Sequence, residues 1–240
     1  MNYLAHGYRF LDNPLKLAGT AIPDWLCVVD RKVRMRSRRI HEHLQCLEEP
    51  EQLIASGILQ HLCDDDLFHR CPGFIMLESE LSVRFRRLMP DPYDHRPPFL
   101  GHIVTELLLD SVIAEHVPEV LENYYAALGE IAPEQVEQLV NRLASRSTDR
   151  LAEFVEKFRA ARILFDYSDD HRLLGRLNQV LRRVTLLPLD EQSLNVLRES
   201  RVLVRRHSAD LLRAVENPDT RLPENSISVP TPVEPDPTMF

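Results

Sequence analysis

An all-α fold is predicted by two features of the sequence. The chain holds only 7 glycines in 240 residues, and its apolar residues recur mostly at steps of three and four, the spacing that gives a helix one buried face. With 44% hydrophobic and 28% charged residues the composition is that of an ordinary globular protein. A chain of this length can bury one good core. Residues 1–216 are read as a single helical domain, with the chemistry in 1–116 and a scaffold in 117–216. The tail, 217–240, holds six prolines and few bulky apolar residues, and is expected to be disordered.

The helices follow in order. Residues 1–11 suit a short first helix, broken at Asn13-Pro14. Leu15 to Val29 is a second, which Pro23 should kink or restart, placing Asp24 and Trp25 near a first turn. An arginine-rich stretch, Arg31 to Arg39, comes next. Glu48-Glu49-Pro50-Glu51 opens a long helix that Cys71-Pro72-Gly73 ends. Phe74 to Leu88 is helical, whereas Met89 to Pro98 carries four prolines and is a loop. The helix from Phe99 to His116 contains Leu107, Leu108 and Leu109 in succession, so it is buried on more than one side and sits centrally. Val120–Leu128, Pro133–Arg146, Thr148–Phe165, His171–Leu187 and Glu191–Glu216 complete the set.

Composition narrows the function. A formal charge of -8 speaks against general nucleic-acid binding, although the Arg31–Arg39 stretch could receive an anionic partner. The four cysteines contain no C-x-x-C pair, so they read as buried free thiols of a reducing cytosol. The N-terminal stretch lacks the features of a signal peptide, and no apolar run approaches the roughly 20 residues of a membrane span. A cytoplasmic protein is expected.

The chemistry concentrates early. Eight of the 10 histidines precede residue 117. GILQHLCDDDLFH, Gly57 to His69, carries His61, Asp65 and His69 at steps of four, and GHIVTELLLD repeats the step with His102, Glu106 and Asp110. Such spacing aims side chains along one helical face. An i,i+4 pair lies about 6 Å apart along the axis and an i,i+8 pair about 12 Å apart. His61 with Asp65, Asp65 with His69, or His102 with Glu106 could therefore share an ion, while Asp110 would orient a ligand or meet another helix. Completing the coordination requires several helices, and His6 and Asp24 are the further candidates. Imidazole with carboxylate suits manganese, iron, zinc or magnesium. Asp66, about 140° round the helix from His61, faces away.

These stretches, MNYLAH at the start, GTAIPD ending at Asp24, GILQHLCDDDLFH and the helix from His102 to Asp110, resemble the acyl carrier protein phosphodiesterase family over about the first 115 residues. Thr20, His69, His102 and Glu106 depart from its usual residues. The resemblance implies an HD-domain-like helical bundle with additional C-terminal helices and a divalent metal, manganese first. It also implies hydrolysis of the phosphodiester that joins 4′-phosphopantetheine to holo acyl carrier protein. On that reading His6, His61, Asp65, His102 and Glu106 hold the metal. Asp24 orients or deprotonates water, His69 is a further ligand or phosphate contact, and Arg34, Arg36, Arg38 and Arg39 dock the acidic carrier. Two other readings stand beside it: an HD-like phosphohydrolase of a small phosphate or nucleotide, and a non-enzymatic helical interaction protein with a degenerate metal site.

Overall fold

Asn13 accepts the backbone N–H of Lys16 and Pro14 fills the first turn, so the second helix starts where its unpaired N–H groups are either absent or bonded. Similar local rules set two other helix starts: Asp169 accepts from Arg172 N–H, and Glu51 accepts from Glu48 N–H. The computed structural model describes residues 1–91 and 93–216, and the expected disordered tail lies outside them. Among the described residues there is no strand. The helices are α1 (Tyr3–Gly7), α2 (Pro14–Val29), α3 (Ser37–His43), α4 (Glu49–Arg70), α5 (Pro72–Arg86), α6 (Arg96–His116), α7 (Val120–Gly129), α8 (Pro133–Leu143), α9 (Leu151–Ala161), α10 (Asp170–Arg183) and α11 (Ser193–Glu216). The chain is all-α.

Two close helix pairs position the site. Where α2 crosses α4, a Cβ on Gly19 would lie 2.2 Å from the Ile54 carbonyl oxygen, and one on Gly57 would lie 2.1 Å from that of Lys16. Only glycine on both sides permits this approach. Where α5 meets α6, a Cβ on Gly101 would stand 2.3 Å from the Glu78 carbonyl oxygen. The first pair brings His61 against the backbone of Thr20; the second brings His102 against Glu78. Helix α6 is central, with Leu107, Leu108 and Leu109 all buried. It is long and apolar enough to cross a membrane by length and composition, yet 72% of its apolar window is buried inside the fold.

Two expectations need correction. Pro23 does not restart α2, which runs as one helix from Pro14 to Val29. Its missing N–H deprives the Gly19 carbonyl of a helical donor, but the helix is clamped on both sides of that point by buried Ala18, Ile22 and Trp25. Asp24 therefore projects from the last third of a continuous helix. The cysteines also differ from the expectation: Cys27, Cys46 and Cys63 are exposed, none of the four forms a disulfide, and only Cys71 is buried.

Candidate metal centre

The buried stripe of α4 runs through Ile54, Ile58, His61, Asp64 and Phe68. Polar groups on such a stripe must be satisfied inside the protein. His61 Nδ1 lies 2.8 Å from the Thr20 carbonyl oxygen. A carbonyl only accepts, so Nδ1 carries the proton and Nε2 of the neutral ring presents a lone pair. That lone pair faces Asp65 Oδ2 at 3.5 Å. Two electron-rich atoms so placed need a proton or a cation between them.

His6 completes the first group. It is fully buried, stacks on His61 with ring centroids 3.9 Å apart, and places Nε2 3.2 Å from Asp65 Oδ1. Neither of its ring nitrogens has a partner with hydrogen-bond geometry. Asp64 lies below it, with Oδ2 3.8 Å from His6 Nδ1 and paired to Arg9 at 2.5 Å. Asp110 sets the position of His6 from α6, since its two carboxylate oxygens accept the N–H groups of Leu4 and Ala5 at 3.0 and 2.8 Å. Burial pushes the Asp110 carboxyl up to about 7 against those two bonds.

His69, His102 and Glu106 form the second group. Both imidazoles direct Nε2 at Glu106 Oε1, at 3.0 and 3.3 Å, and their rings stack 4.8 Å apart. His102 Nδ1 meets Glu78 Oε1 at 3.0 Å. Burial disfavours the charged form of His102, but Glu106 and Glu78 outweigh it and raise its pKa.

In each group the candidate ligand atoms lie within 4.8 Å of one another. Atoms about 2.1 Å from one ion are about 3.0 Å apart at octahedral angles and about 3.4 Å apart at tetrahedral ones. The four imidazole–carboxylate separations, 3.2, 3.5, 3.0 and 3.3 Å, fall at those edges. The orphaned nitrogens of His6 fit the same requirement, as does Nε2 of His61 in the neutral ring. The two groups adjoin, because the amino group of Met1 donates to Asp65 Oδ1 at 2.7 Å and to Glu106 Oε1 at 3.0 Å. Burial opposes the charge of that amino group, yet the two carboxylates raise it to about 10. Both carboxyls are in turn held below their usual range, against burial, by this amino group and the adjacent imidazoles.

Asp24 stands beside both groups and faces a cavity of about 600 Å³ that also reaches Met1 and Glu106. Its Oδ2 is buried without a hydrogen-bond partner, and burial, with Asp65 nearby, pushes its carboxyl up to about 7 despite the opposing effect of His61.

The five residues expected to hold one metal are divided: His6, His61 and Asp65 form the first group, while His102 and Glu106 join His69 in the second, and Asp24 lies beside them. Asp66 is exposed and pairs with Arg70, as its helical angle predicts. The arginines divide. Arg34 lines the cavity, Arg36 is exposed at the start of α3, Arg38 pairs with Glu42, and Arg39 donates to the Leu143 carbonyl. Sequence reasoning did not assign Asp64, Glu78 or the Thr20 carbonyl. Asp64 was detectable, lying three residues after His61 on the buried stripe; the other two depend on helix crossings. Compared with protein-family models, curated proteins and solved structures, the chain finds no match in any of the three.

Proposed function

We propose that the protein is a metal-dependent phosphodiesterase, similar in kind to acyl carrier protein phosphodiesterases, and that His6, His61 and Asp65 hold one divalent ion while His69, His102 and Glu106 hold a second. One observation carries the reading: two adjoining sets of two imidazoles and a carboxylate share ligand-edge distances, and His6 is buried in one of them with both nitrogens unbonded. This nitrogen-rich donor set favours manganese, iron or zinc over magnesium. A divalent ion supplies Lewis acidity toward a phosphoryl oxygen and lowers the pKa of water. The chain supplies the rest. Asp24, with its carboxyl at about 7, is suited to take a proton from water at neutral pH through its unpartnered Oδ2. Thr20 holds the orientation of His61 and Glu78 that of His102.

Metal analysis of untagged protein tests this, followed by turnover with added manganese. We expect close to two equivalents and release of phosphopantetheine from holo acyl carrier protein. Less than about 0.1 equivalent, with no activity on adding metal, would refute both the metal site and the enzyme.

The Met1 amino group favours a second reading. It already pairs with both Asp65 and Glu106, so the two carboxylates have a cationic partner without a metal, as in a non-enzymatic helical interaction protein. The same metal analysis decides between the two. If metal binds but the carrier protein is not a substrate, turnover of a small phosphodiester would identify an HD-like phosphohydrolase of small phosphates.

A further inference from the structure

The cavity beside Asp24 and Glu106 has two kinds of wall. Phe99, Ile103, Leu107, Phe154, Phe158 and Ile163 give it an aromatic and aliphatic surface. Arg31, Arg34, Lys157 and Arg183 also line it. All four cations are exposed, so they stand where the cavity opens to water. Lys157 pairs with Glu153, and Arg31 donates to the Cys27 carbonyl. Among the described residues Arg34 and Arg183 form no ion pair. The volume, about 600 Å³, lies well within the range of organic ligand sites.

We infer that this cavity takes the non-reacting arm of the substrate, an unbranched and mainly apolar arm that ends in an anionic group at Arg34 and Arg183. The inference rests on the phosphodiesterase reading for which end of the substrate meets the carboxylates. The lining combines acidic groups that would face a metal-bound phosphoester, apolar side chains and exposed cations. A compound with a phosphoester at one end, an alkyl segment and a second anion therefore matches the chemistry of that lining. Each methylene moved from water onto such a wall is worth roughly fourfold in affinity. The unpaired cations add a smaller, salt-dependent gain.

Calorimetric titration of the full chain with methylphosphonate, hexylphosphonate and 6-phosphonohexanoate tests it without turnover. Hexylphosphonate should bind at least ~10-fold more tightly than methylphosphonate, and Phe154→Ala should cut that ratio at least ~3-fold. The terminal carboxylate should add a further ~3-fold that is lost in Arg34→Ala/Arg183→Ala, a surface double variant whose folding circular dichroism can verify. Equal affinities for the methyl and hexyl compounds would overturn the inference. So would a carboxylate gain that survives the double variant. Tight binding of the hexyl compound by a protein that hydrolyses no phosphodiester would refute the function above and leave the cavity assignment standing. Hydrolysis with no dependence on chain length would do the reverse.

Discussion

The two imidazole–carboxylate groups are built alike but buried in opposite senses. In the first, His6 and His61 are almost fully enclosed, with side chains 0% and 3% exposed, and the carboxylate of Asp65 is 32% exposed. In the second the imidazoles are open, 32% for His69 and 38% for His102, and the carboxylate of Glu106 is 9% exposed. The difference follows from the supporting elements. A backbone carbonyl and a buried aspartate flank the first pair of rings, whereas the second leans on Glu78, itself 35% exposed. The first group is preorganised; the second can adjust to a ligand arriving from solvent.

That contrast can be broken, beginning with the largest effect. Gly57→Ala drives a Cβ into the Lys16 carbonyl, forcing α2 and α4 apart, and should cost about 3 kcal/mol or more by chemical denaturation. The shift moves Thr20 away from His61, so metal at the first group should be lost before metal at the second. Next, Asp65→Ala should remove the ion of the first group and Glu106→Ala that of the second, each lowering bound manganese by about one equivalent. Unchanged metal content in Asp65→Ala would take that residue out of the site.

Acidity probes both groups at once in metal-free protein. Asp65 and Glu106 are held below their usual range. The unfolded chain therefore takes up their protons first, and the stability they give is present above the ordinary carboxylate range and lost as the pH falls through it. Asp24 and Asp110, raised to about 7 from 3.8, act oppositely, because the folded state holds their protons more tightly. Unfolding free energy should thus rise as the pH is lowered from about 8 to about 5 and fall below about 4. A monotonic decline from neutral pH would contradict the raised carboxyls. The smallest expected effect is that of Glu78→Gln, which should weaken metal at the second group by roughly tenfold and leave the first unaltered, as competition with a chelator would show.

Much of this arrangement is legible in the sequence, for local reasons. The i,i+4 steps from His61 to Asp65 and from His102 to Glu106 survive folding because each pair lies on one helix. The grouping of His69 with His102 was not legible, since it depends on how α4 and α6 meet. Pro23 did not give the restart that local geometry allows, because packing around Ala18, Ile22 and Trp25 holds the helix together. Among the three consecutive aspartates, helical spacing alone marks Asp64 as the one on the buried stripe with His61. The cavity draws Phe154 and Phe158 from the half of the chain read as scaffold, because wall residues carry no chemical signature.

His6 sits on a helix of only five residues, far too short to persist alone. The amides of Leu4 and Ala5 are bonded to Asp110, four residues after Glu106 on the central helix. The N-terminal residues are thus tied to a helix that is buried along most of its length. Their amide hydrogens should exchange with solvent at the rate of α6, on global unfolding, where a free chain end would exchange within moments.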